Sequence, residues 1–111
     1  QVWTVYKDGS IELEASITSN QPSLVLPRLG YMVRVPQQYA NFTYYGRGPI
    51  DNYADRKVGQ FIEQHKNTVA GEFVNFPKPQ DMGNHEDVRW CALTNNAGNG
   101  AVFIATDRLS A

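Results

Sequence analysis

Alternation is the feature that most restricts this chain. Ile11, Leu13, Ala15 and Ile17 take turns with Glu12, Glu14, Ser16 and Thr18. A period of two sets every other side chain on one face of an extended strand, so the run reads as a strand with one dry face and one wet face. Val2 to Tyr6 is a β-rich run before it, and Asp8-Gly9 between the two is a favoured hairpin turn. Leu29, Tyr31, Val33 and Val35 alternate again up to Pro36, and Asn41 to Tyr45 does so briefly. Val58 to Thr68 fits a strand by the order Val58, Gln60, Ile62, Gln64, and a short helix by Phe61, Ile62 and His65; its β surroundings favour the strand. Glu72 to Phe76 reads as a short strand closed by Pro77 and Pro79. Val88 to Thr94 and Ala101 to Thr106 are joined by turn residues from Asn95 to Gly100, and the apolar run Ala101 to Ile104 reads as a strand covered on both faces. About eight short strands with turn punctuation describe an all-β antiparallel β-sandwich.

Composition narrows the partners. With 111 residues, 41% hydrophobic and 19% charged, the chain has the size and make-up of one globular domain. Its net charge of −1 carries no basic run, which argues against nucleic acid. No apolar stretch reaches membrane-spanning length, and the N-terminus lacks the charged-then-apolar layout of a signal peptide. Cys91 is alone, which excludes an internal disulfide and reads as a buried small hydrophobe.

The segment Tyr44 to Arg56 stands apart from the alternating runs. Gly46 and Gly48 admit positive φ or a close backbone approach, Pro49 holds its own φ, and Arg47 stands out between them. Asp51, Asp55 and Arg56 follow as charge-assisted partners at short range, so the segment reads as a built loop held by its own side chains.

Its wording, Gly46-Arg47-Gly48-Pro49-Ile50-Asp51-Asn52-Tyr53-Ala54-Asp55-Arg56, resembles the G-R-G-P-x-E-N-Y-x-D-R signature in the C-terminal β-sandwich ("small chain") domain of family 2 β-galactosidases. Leu26-Pro27-Arg28-Leu29-Gly30 is similar to that family's L-P-R-x-G, Pro79 to Asn84 to its P-Q-E-N-G-N turn, and Asp87-Val88-Arg89-Trp90 to its D-V-R-W. Asp51 replaces the usual Glu, and Asp81-Met82 the Glu-Asn pair.

The resemblance implies a galactose-mutarotase-like supersandwich, of which this chain is a single domain fragment over residues 1–111. The whole enzyme would hydrolyse terminal β-galactosides with retention. Its catalytic glutamates, and any divalent or monovalent metal ions, would belong to a barrel domain elsewhere, leaving no cofactor here. The parent's compartment stays open between cytoplasm and periplasm. The implied partners are the remaining domains of the parent, and galactosides as ligands. Because the family's domain continues past the strand matching Ala101 to Thr106, that apolar run is expected at an open edge, and a homodimer through it is one way to cover it.

The candidate chemistry weighs against catalysis by this chain. A retaining glycosidase needs two carboxyl groups about 5–5.5 Å apart, one of them with a raised pKa. Asp51 with Asp55 and Glu86 with Asp87 are the available pairs, but Arg47, Arg56 and Arg89 lie beside them and favour the ionised forms. Two isolated histidines, His65 and His85, have no third ligand at metal spacing and read as solvated residues. The family's galactose-lining tryptophan comes from a later segment, so Trp90 is not expected to serve as it. The contact residues singled out for structure or sugar binding are Arg47, Asp51, Asn52, Asp55 and Arg56 in the first segment, and Gln80 and Asn84 in the second. A stand-alone carbohydrate-binding module, and a mutarotase-like epimerase using His85 with Glu86, are the competing readings.

Overall fold

The structure is a computed structural model and describes residues 1–21 and 23–111. Residues Gln1–Val33 and Arg34–Ala111 form two compact units.

The first unit is a hairpin of β1 (Val2–Val5) and β2 (Ile11–Glu14), paired from Val2 with Glu14 to Val5 with Ile11. Its turn uses the expected residues. Gly9 sits at φ +89°, its N–H donates to the Tyr6 carbonyl at 3.1 Å, and Asp8 Oδ1 accepts from the Ser10 N–H at 2.9 Å. The alternation through Thr18 does not extend the strand: β2 stops at Glu14, the partner of Val2, the first residue of β1. Leu29 to Val35 forms no strand either. Strand periodicity without a partner leaves backbone groups to solvent, and Leu29 and Val33 stay 62% and 61% exposed.

The second unit is a four-stranded antiparallel sheet ordered β4-β3-β5-β6, from β3 (Asn41–Gly48), β4 (Phe61–Thr68), β5 (Val88–Thr94) and β6 (Gly100–Leu109). Strand is thus the outcome for the ambiguous Val58 to Thr68, starting at Phe61 because Gly59 turns the chain at φ +85°. Glu72 to Phe76 differs from expectation. A 3₁₀-helix, Val69–Glu72, ends where that strand was expected to begin, and residues 73–76 form no strand; the helix is capped by Thr68, whose side chain accepts from the Gly71 N–H at 3.0 Å. The turn from Asn95 to Gly100 forms as read, with Asn95 Oδ1 accepting from Ala97 and Asn99 N–H and Gly98 at φ +82°.

Directly paired residues share a face. Phe42, Tyr44, Gly46 and Gly48 therefore lie with His65, Asn67, Cys91 and Leu93 on one face, and Thr43, Tyr45 and Arg47 with Ile62, Lys66, Trp90 and Ala92 on the other. Tyr44, Val88 and Ala92 are its buried apolar centre. β6 is an edge, and only one of its faces is covered: Val102 and Ile104 are 59% and 78% exposed, not enclosed on both sides as the apolar run implied. The fold class is all-β and antiparallel, the two-sheet make-up of a β-sandwich-like domain.

Candidate functional site

Gly46, Arg47 and Gly48 are the end of the central strand β3, not a loop. The glycines serve close approach. A Cβ on Gly46 would lie 2.8 Å from Val88 Cγ2, and one on Gly48 would lie 2.3 Å from the Tyr44 hydroxyl and 2.9 Å from His65 Cδ2. Arg47 does not pair with Asp51 or Asp55 as expected. Its Nε donates to Asp87 Oδ2 at 2.8 Å, Nη2 lies 2.7 Å from the same oxygen, and Nη1 donates to the Gln60 carbonyl at 2.9 Å. Strand geometry directs the guanidinium to the Asp87 turn and to the Gln60 carbonyl, not to Asp51 or Asp55. The Arg47 hydrogen bond, helped by Lys57 and Arg108 and opposed by burial, holds the Asp87 carboxyl below the usual carboxylate range. Arg89 meets the Asp87 carbonyl, not a carboxylate.

Asn52 and Asn84 join the two motif segments. Asn52 is fully buried; its Nδ2 donates to the Arg47 and Ile50 carbonyls at 2.9 Å each, and its Oδ1 accepts from the Glu86 N–H at 2.8 Å. Asn84 Nδ2 donates to the Asn52 carbonyl at 2.7 Å and to Glu86 Oε1 at 3.1 Å. Every polar atom of the Asn52 side chain is thus used within the chain.

Asp51 is buried and faces Arg56 at 3.3 Å, and the Arg56 guanidinium lies over the rings of Tyr53 and Phe76 at 4.3 and 4.8 Å. Asp55 and Gln80 are exposed and stand outside this network.

His85 was missed as a partner of these residues. Far from solvated, it is fully buried, stacked on Tyr44 with centroids 4.1 Å apart; Nε2 lies 2.8 Å from Glu72 Oε2 and Nδ1 3.2 Å from the Arg47 carbonyl. Half-buried His65 lies with its ring centroid 5.0 Å from that of Tyr44, and burial with the nearby Glu72 charge pushes the Tyr44 hydroxyl well above the usual phenol range. The only signal in the sequence was position: His85 directly follows the motif turn that ends at Asn84. Its partner Glu72 lies 13 residues earlier, outside any motif.

The arrangement is built to hold itself together. Glu86 turns to Asn84 and Ser110 while His85 turns to Glu72, so this neighbouring pair does not face one space as an acid and base must. Among the described residues, no three His, Cys, Asp or Glu side chains gather as a metal set, and no helix is long and apolar enough to cross a membrane.

A sheet with an interlocked Arg47, Asn52 and Asn84 node describes an antiparallel β-domain, and residues 1–110 match the family described as beta galactosidase small chain. The chain belongs to that family. It is 36% identical over 98 residues to a beta-galactosidase of Priestia megaterium, covering 88% of this chain and 10% of that protein. Beta-galactosidase BgaC of Bifidobacterium adolescentis is 34% identical over 91 residues, 82% of this chain and 9% of the relative. A beta-galactosidase of Kluyveromyces lactis is 30% identical over 105 residues, 93% of this chain and 10% of the relative. The chain spans about a tenth of the length of these relatives.

Proposed function

We propose that this chain is a non-catalytic β-sandwich segment of a larger β-galactosidase, one that hydrolyses terminal β-D-galactosides with retention. Its role is to buttress the catalytic barrel, and its partners are the remaining domains of that enzyme.

One observation carries the reading: of the candidate sugar donors, Arg47, Asn52 and Asn84 are spent inside the chain, and only the exposed Gln80 lies outside that network. Arg47 is committed to Asp87 and the Gln60 carbonyl, Asn52 has no exposed surface, and the Asn84 amide serves Asn52 and Glu86. A carbohydrate site needs unpaired polar groups converging on an open cleft.

The test has two arms. The purified chain is assayed against a chromogenic β-galactoside and titrated with galactose and lactose; neither turnover nor saturable binding is expected, and turnover above a buffer blank in a preparation free of host enzyme overturns the proposal. In the full-length enzyme, Arg47→Ala is expected to lower the melting temperature and leave KM for galactoside unchanged. A raised KM at unchanged stability would make Arg47 a substrate contact instead.

A further inference from the structure

We infer that the β1–β2 hairpin docks one face, lined by Trp3, Val5, Ile11 and Leu13, on an apolar, strand-bearing surface of the parent enzyme outside this chain; the inference rests on reading the chain as a segment of a larger β-galactosidase. Cross-strand pairing sorts the side chains. Trp3 stands opposite Leu13 and Val5 opposite Ile11, so these four share a face, while Val2 with Glu14 and Thr4 with Glu12 share the other. The second face is the wet one: Glu12 and Glu14 are exposed, and the Tyr6 hydroxyl donates to Glu12 Oε2 at 2.6 Å. The first is wholly apolar, yet Trp3, Val5 and Ile11 are 60%, 73% and 62% exposed. A two-stranded hairpin is marginal in water unless such a face is covered. The family match over residues 1–110 includes the hairpin, which is therefore part of the domain.

The backbone selects the occupant. Ala15 and Ile17 continue the alternation of Ile11 and Leu13 beyond the ladder, and Ile17 is exposed. Among the described residues, Ala15 to Thr18 and Leu29 to Val33 join no strand, although both carry strand alternation. Face-to-face stacking of a second copy would cover the apolar side chains and still give these backbones no ladder. A surface that brings strands of its own meets both needs, since unpaired N–H and C=O groups are a template for a further strand. The relatives have the chain to provide it, because this one spans about a tenth of their length.

The test compares the isolated chain with the full-length enzyme by iodoacetamide labelling of single cysteine variants, each site read by peptide mass spectrometry. Val5→Cys and Ile11→Cys probe the apolar face and Thr4→Cys the wet one. All three are expected to label readily in the isolated chain; in the enzyme the two apolar-face sites are expected to slow at least about tenfold while Thr4→Cys keeps its rate. Equal labelling of both faces in the enzyme overturns the proposal. Slow labelling of the apolar face in the isolated chain overturns it too, a concentration dependence meaning that a second copy covers the face and a constant rate that the chain itself does. Wild-type hydrogen exchange is the second measurement and decides alone were the variants not to fold: the amides of Ala15 to Thr18 are expected to exchange at least about tenfold slower in the enzyme than in the chain, and equal exchange refutes the added ladder. Neither readout uses activity, so a failure here is distinct from a failure of the non-catalytic reading, which turnover decides.

Discussion

Asn52 and Asn84, 32 residues apart, brace each other from both sides: the Asn52 N–H donates to the Asn84 carbonyl at 2.7 Å, and Asn84 Nδ2 donates to the Asn52 carbonyl at 2.7 Å. This exchange makes the two motif segments one body. Asn52→Ala removes three side-chain bonds from a fully buried position and is expected to cost about 2–4 kcal/mol. Asn52→Asp is no rescue, since it sets a carboxylate against the Arg47 and Ile50 carbonyls. Urea midpoints of the two variants check this, and a midpoint near wild type for either would refute it.

Arg47→Lys keeps the charge but loses the fork that reaches Asp87 and the Gln60 carbonyl together. Arg47→Ala is expected to destabilise by about 1–3 kcal/mol and Arg47→Lys to recover less than half of that. Chemical denaturation of the pair measures it.

Asp87 makes stability depend on acid. Its carboxyl titrates below the ordinary value, chiefly through the Arg47 hydrogen bond, so its contribution is complete above about pH 4 and is lost as pH falls through the lower folded value. Asp87→Asn is expected to be less stable at neutral pH and to show a flatter acid limb. Melting temperatures from neutral pH downward test the sign.

Gly48→Ala is expected to be far more damaging than Gly9→Ala. At Gly48 a methyl group lies 2.3 Å from the Tyr44 hydroxyl, for about 3 kcal/mol, whereas at Gly9 nothing lies within 4 Å and only the φ of +89° opposes it, for about 1 kcal/mol. A reversed order in thermal melts would contradict the close-approach role of Gly48.

Burial pushes the Cys91 thiol up, so less thiolate is present at neutral pH. Alkylation by iodoacetamide is expected to run at least about tenfold slower in the folded chain than in urea. Mass spectrometry over time reads the rate.

What the amino-acid sequence determined by itself is what depends on neighbours in the chain. Period-two alternation marked β2 and the start of β3, Asp8-Gly9 and Asn95 to Gly100 marked their turns, and four ordered motifs marked the family, because backbone preference and turn chemistry act over a few residues. Tertiary structure decided everything that needs a distant partner. Leu29 to Val35 carries the same alternation as Ile11 to Glu14, yet only the latter meets a strand to pair with. Gly46 and Gly48 look like loop residues until Val88, Tyr44 and His65 crowd them in the central strand. Arg47 has carboxylates four and eight residues downstream, and takes the one 40 residues away because a strand projects it there. His85, with neighbours typical of a wet turn, is buried because β3 and the 3₁₀-helix bring Tyr44 and Glu72 to either side of it. An ion pair or a stacked ring answers to distance in space, and chain separation carries no record of it.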